Sequence, residues 1–314
     1  MLTPVKHVLP ALAALLLAAG APSSNAPLRD VVRVTSPLTP NSDNRQGGDF
    51  LRERQRQGTH LKQPGPAPDL YKDPPTREGV RLARYLSDGH ELKIWHVLPV
   101  NQSLWSADGY PTVIFVHDGT SFSEEELQQA RTFSEAGFVV LAPTFRGENG
   151  NPGVHELLFG ELDDLVAAAE YASGLPEVDA HKLAIWGHGL GGMLAAVSSL
   201  VPHLGAQFTG SSAGLRPISA FEVISSPFEA TEHERNARLL GPNIHHMRTP
   251  HWACVAEQDA AVYDEGTRLG ELAQRSNFPL HVERVLGNRM TSRATCTQRA
   301  LAWLLRNSRS WNAP

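Results

Sequence analysis

From about residue 78 onward, short apolar runs alternate with stretches of helical periodicity. Val80–Leu86 and Glu91–Leu98 are extended runs flanking Ser87-Asp88-Gly89, and an Asp-Gly pair between two such runs predicts a hairpin. Thr112–Val116 reads as a short buried strand. Ser123–Ala136 reads as a helix with acidic residues in its first turn. Phe138–Ala142 is a strand, and Glu156–Ala172 a helix with Leu158, Leu162, Leu165, Val166 and Ala169 at helical spacing. Lys182–Trp186 is a strand and Leu190–Leu200 the helix behind it. Phe221–Ile224, Trp252–Ala256 and Leu280–Val285 are further strands, with helices over Asp264–Ser276 and Arg293–Arg306. A hairpin followed by strand–helix units predicts an α/β fold. Its central sheet is mostly parallel, with helices on both faces and an N-terminal antiparallel hairpin. Ligands of such sheets bind outside the carboxyl ends of the strands, so polar residues just after a strand are the candidates for a site.

The region before residue 78 lacks this pattern. Lys6 followed by the apolar run Val8–Ala19 and the small residues Ala18-Ala19-Gly20 resembles an export signal over residues 1–20, cleaved or retained as an anchor. The run is short for a bilayer span, no later run is long enough, and no cysteine lies near the cleavage site to carry a lipid. The expected location is therefore periplasmic or extracellular. Residues 21–77 are rich in Pro, Arg, Gln, Asn and Asp and read as a flexible linker or arm, or as a segment that wraps a partner or packs on the domain. Residues 78–314 are the folded domain. The net charge of −5, with charges of both signs mixed along the chain, gives no electrostatic footprint for nucleic acid. The two cysteines, Cys254 and Cys296, permit one disulfide in an exported protein; a buried free thiol at Cys254 is the other reading.

Several motifs carry a resemblance. Lys182–Met193, KLAIWGHGLGGM, has the shape of a strand–turn–helix nucleophile elbow. Val113–Gly119 resembles the third strand and oxyanion loop of α/β-hydrolases. Phe138–Gly150, with Arg146-Gly147, resembles the arginine-glycine loop of their prolyl oligopeptidase-type and dienelactone hydrolase-type branches. Gly160–Asp164 and Val178–His188 continue the match. The resemblance covers about residues 78–308 and implies an α/β-hydrolase fold and a serine peptidase or esterase ancestry.

The resemblance also implies a triad in the order serine, acid, histidine. Gly189 stands at the serine position and has no side chain with which to attack a carbonyl. Asp259, after the Trp252 strand, matches the acid, or else is a loop aspartate or helix cap. Met290 falls at the histidine position, and a thioether is no general base. Loss of nucleophile or base alone costs a serine protease about 10⁶ in kcat. The expected protein is thus a ligand-binding or scaffold pseudoenzyme. The alternatives are a hydrolase in which His117, His188 and Asp259 activate water, and a module that binds an exported partner through residues 21–77.

An oxyanion hole needs only backbone N–H groups. The amide of Leu190 and one from the His117-Asp118-Gly119 loop are the candidates, and they would accept a small carbonyl or carboxylate ligand. Glycine at 189 would leave the pocket floor open, or would merely suit a strained backbone. His117, Arg146, His188 and Asp259 all follow strands. They form a polar, anion-accepting rim, or else shape the loops. His245, His246 and His251 precede the Trp252 strand, on the opposite edge, without firm ligand spacing, so no metal is expected. The Gly187–Gly192 turn lacks the companion features of a dinucleotide fingerprint, so no cofactor is expected.

Overall fold

The structure is a computed structural model and describes residues 48–307 apart from 224, 225 and 230; the signal-like segment and residues 21–47 lie outside the described residues. After helix α1 (Gly48–Gln57), strands β1 (Val80–Ser87) and β2 (His90–Val97) form the expected hairpin. Its turn has Asp88 and Gly89 both at positive φ, which matches the right-handed twist of the paired strands. Strands β3 (Tyr110–Val116), β4 (Val139–Pro143), β5 (Val178–His188), β6 (Phe208–Ser212), β7 (His251–Ala256) and β8 (Leu280–Val285) complete one sheet of order β1-β2-β4-β3-β5-β6-β7-β8. Pairing is antiparallel among β1, β2 and β4, and parallel from β4 through β3 to β8.

Strand alternation builds the two apolar layers. Ile114, Leu141 and Ile185 face helices α3 (Gly160–Ser173) and α4 (Gly189–Ser198), packing with Leu162, Leu165, Leu194 and Val197. Their neighbours Val113, Val140 and Trp186 face the other way. They pack with Leu127 and Phe133 of α2 (Glu124–Glu135) and with Ala300 and Leu304 of the last helix. Period-two burial on a sheet covered on both faces leaves no polar side for these strands.

Three expectations need correction. The strand expected over Phe221–Ile224 is not formed by Phe221–Val223, its last residue lying outside the described residues: Ala220–Val223 is a short helix, α5, and the strand between β5 and β7 is β6, whose sequence FTGSS carries little apolar signal. Helix α3 starts at Gly160 rather than Glu156, because Leu157 and Leu158 take positive φ and their turn is held by the Glu156 carboxylate accepting from Gly160 N–H at 2.8 Å. Beyond α6 (Glu232–Asn236), α7 (Leu240–Asn243) and α8 (Ala260–Ser276), the final helix α9 (Arg289–Asn307) starts four residues before the expected Arg293, so Met290 sits in its first turn.

Residues 48–77, the described part of the segment read as a linker or arm, pack on the domain. Phe50 and Leu51 of α1 are buried, and Arg54 donates to Phe159 O at 2.6 Å. The chain then runs as a strap. Lys62 N–H donates to Pro227 O at 2.7 Å, His155 N–H to Gly65 O at 2.9 Å, and Ala67 N–H to Gly147 O at 3.0 Å. Asp69 Oδ2 accepts from Thr120 N–H at 3.0 Å and Thr120 Oγ1 at 2.7 Å. Asp73 takes Asn149 Nδ2 at 2.9 Å and pairs with Lys93 Nζ at 2.5 Å. The strap therefore lies over the loops that follow β3 and β4, at the carboxyl edge of the sheet.

Cys254 and Cys296 are disulfide-bonded with Cα atoms 5.8 Å apart, tying β7 to α9.

Candidate functional site

The elbow is present in shape. β5 ends at His188 and α4 begins at Gly189, whose φ of +55° is the left-handed conformation a nucleophile elbow imposes. A Cβ at Gly187 would strike the backbone of Gly191, so the turn closes only with glycine there. The space above Gly189 is not open. A Cβ at residue 189 would overlap Asp118 Oδ1 and Arg289 Nη2.

Asp118 occupies the position expected for an oxyanion. Its Oδ1 accepts from Leu190 N–H at 2.9 Å and from its neighbour Gly119 N–H at 2.9 Å. Arg289 Nη2 donates to Oδ1 at 2.8 Å and to Oδ2 at 2.6 Å. The two amides expected to hold a ligand oxygen thus hold a carboxylate of the chain itself. Burial opposes ionisation of Asp118. The Arg289 guanidinium, the Leu190 amide and nearby His188 outweigh it and hold the carboxyl below the usual aspartate range.

His188 is buried beneath this pair. Its Nε2 lies 3.9 Å from Asp118 Oδ2, and neither ring nitrogen has a hydrogen-bond partner. Burial, with the charges of Arg293, Arg289 and Arg216 against that of Asp118, lowers its pKa to about 4. It is neutral at pH 7. His117 does not face the elbow as a base: its Nε2 meets Glu148 Oε2 at 3.1 Å and its Nδ1 meets Asp118 O at 3.3 Å. Burial opposes its protonation, but the Glu148 carboxylate wins and raises its pKa. Arg146 is likewise committed. Its Nε and Nη2 form a bidentate pair with buried Asp164 at 3.0 and 2.8 Å, and its own N–H donates to the same carboxylate. Both residues set the loops under the strap, the second of the two readings the sequence left open. His251, on the opposite edge, bonds Thr209 and Ser211, and burial lowers its pKa to about 3.

Asp259 is the N-cap of α8, without a side-chain cap bond, and its Oδ2 accepts from Arg216 Nη2 at 3.4 Å. Met290 is 67% exposed. Asp259, Met290, Arg216 and Arg289 line one open groove of about 470 Å³ beside the elbow. On the strap side the space lined by His117, Glu148, His155, Leu190 and Leu194 is only about 20 Å³, room for one water and not for an acyl chain. Sequence reasoning missed Arg289 and Arg216. The available signal was a cation next to Met290 in sequence and an anion, Asp118, in the loop after β3.

With this geometry in view, the chain is similar to known hydrolases in both sequence and fold. The model of the prolyl oligopeptidase family matches residues 121–203. Comparison with curated protein sequences returned no match. Among solved structures, a puromycin-hydrolyzing peptidase of Mycobacterium tuberculosis superposes with a TM-score of 0.60 at 19% identity, over 72% of this chain and 38% of that one. The acylaminoacyl peptidase of Pyrococcus horikoshii matches with a TM-score of 0.58 at 15% identity, over 72% of this chain and 40% of its own. An esterase of Thermogutta terrifontis, solved with propionate bound, gives 0.58 at 20% identity, covering 78% of this chain and 99% of that one. The fold is that of the α/β-hydrolase superfamily, and the chain resembles its serine peptidases and esterases.

Proposed function

We propose that this chain is an exported α/β-hydrolase-fold protein that performs no triad hydrolysis and acts by binding a ligand or partner. One observation carries the reading. The Asp118 carboxylate, clamped by Arg289, fills the space where a nucleophile side chain at 189 would stand, and it uses the Leu190 amide an oxyanion would need. Catalysis by such a fold rests on donors aimed at developing charge, and here a permanent charge already satisfies them. Met290 on the first turn of α9 supplies no base, and Asp259 bonds an arginine rather than a histidine. The Cys254–Cys296 bond supports export, since disulfides persist in oxidising compartments.

The unconventional-hydrolase alternative loses support from the same contacts. His117 is engaged by Glu148, and His188 is 1% exposed.

The test is hydrolysis of a short-chain activated ester by the mature protein, with fluorophosphonate labelling in parallel. The wild type should be silent in both. A G189S/M290H variant should stay silent because Asp118 still fills the site; adding D118G should permit labelling. Saturable turnover by rigorously purified wild type would overturn the proposal.

A further inference from the structure

The groove beside the elbow has more donors than its own carboxylates use. Arg216 and Arg289 both line it, together with Gln258 and Met290, and Asp259 is the only acidic residue in its lining. A guanidinium offers five N–H donors in a planar fork. Among the described residues Arg216 makes one hydrogen bond, the 3.4 Å contact to Asp259. Arg289 uses Nη2 alone, on Asp118, and its Nε is buried without a partner. The Arg216 fork and the Nη1 of Arg289, which makes no hydrogen bond among the described residues, suit an oxyanion that takes N–H bonds from both guanidiniums.

The rim adds a second requirement. Met290 is 67% exposed and lies on the groove wall, and Leu286 is 80% exposed in the loop whose Gly287 O accepts from Gln258 N–H at 2.9 Å. Large apolar side chains left in water beside two guanidiniums favour an organic anion over a bare inorganic one.

We propose that the Arg216–Arg289 groove binds the carboxylate of an organic acid, its carboxyl group between the two guanidiniums and its apolar part against Met290 and Leu286. The site is distinct from the oxyanion position, which Asp118 retains. This proposal rests on the reading that the domain binds rather than hydrolyses. The acid is either a small free acid or the C-terminal carboxylate of a peptide, and the experiment separates these.

The chain has four methionines, of which Met193 and Met247 are buried and Met290 stands on the groove, so methyl-labelled methionine gives a direct reporter. The full-length protein is titrated with propionate, with N-acetyl-Ala-Ala, and with the C-terminal amide of that dipeptide. The Met290 signal should shift saturably, with a midpoint of about 1 mM, for one or both free acids. A response to the dipeptide acid alone assigns a peptide terminus; a response to propionate shows that a small acid suffices. Substitution R216Q should weaken binding about tenfold, as loss of a charge-assisted hydrogen bond does. Q258E, which adds a carboxylate to the lining without touching either arginine, should weaken it similarly and serves if R216Q folds poorly. A Met290 signal that stays fixed to about 50 mM of both acids, that responds equally to the amide, or that is unchanged by Q258E overturns the proposal. Ester turnover would instead sink the functional reading while leaving this binding result intact.

Discussion

Asp118 and Arg289, 171 residues apart in the chain, meet at the point a side chain on residue 189 would occupy. The absence of a side chain at 189 and this ion pair are therefore structurally coupled. Glycine at 189 makes the room, and the pair fills it.

That coupling predicts the outcome of placing serine at 189. G189S places a Cβ on Asp118 Oδ1 and Arg289 Nη2 at a residue with φ of +55°. Strain and overpacking together should cost about 1–3 kcal/mol. D118G removes the overlap with the carboxylate and releases the flexible Arg289 side chain that it holds there, so the double variant should be less destabilised than the two single variants sum to. Urea denaturation of the four proteins measures this coupling, and simple additivity would mean that the serine side chain finds room elsewhere.

The same pair predicts an acid-sensitive contribution to stability. Asp118 has a lower pKa in the folded chain than the ordinary aspartate value of 3.8. Its contribution is complete above that value and is lost as pH falls through the lower folded pKa. D118N should reduce stability at neutral pH by about 1–3 kcal/mol, because Arg289 loses its carboxylate, and should flatten the acid limb below about pH 4. Thermal melts from pH 3 to 7 of wild type and D118N test both halves.

The sheet was largely legible because its strands announce themselves by local pattern. Val113 and Ile114 go to opposite layers, and the Asp88-Gly89 turn was read from two letters. Strand β6 was not legible. Its Thr209 and Ser211 are buried polar residues whose partner, His251, lies about 40 residues away, and composition cannot announce a partner at that distance. The strap failed for the same reason. Its prolines and polar residues look like disorder, yet Ala67 and Asp69 bond loops after β4 and β3 that no local window contains. At the site, Gly189 and Met290 were readable as residues, whereas the Asp118–Arg289 pair beside them is a tertiary contact.

Two histidines should titrate in opposite directions. Burial and three arginines lower His188 to about 4, so its neutral form is what folding accommodates. Its contribution is full above the ordinary histidine value of 6.5 and is lost as pH falls toward 4. His117 is raised by Glu148, so its contribution is full below 6.5 and is lost as pH rises through the raised folded value. In H188L, stability should fall less steeply between pH 6.5 and 4 than in wild type; in H117Q the loss on the alkaline side should vanish. NMR titration of the imidazole resonances reads the two pKa values directly, and a His188 that titrates near 6.5 would place it in water rather than beneath Asp118.

The disulfide connects stability to the site. Cys254–Cys296 closes a loop with a sequence separation of 42, for which the loop-entropy relation gives about 4 kcal/mol. The double variant C254A/C296A should lose stability of that order. Because Cys296 lies on α9, which begins with Arg289, the loss should also reach the clamp on Asp118. Amide exchange at Leu190, whose N–H is held by Asp118, should accelerate in the double variant by more than at Ala67 N–H, which bonds Gly147 on the other side of the elbow. Equal acceleration at the two amides would mean that the bridge stabilises the domain as a whole and leaves the site's own restraint untouched.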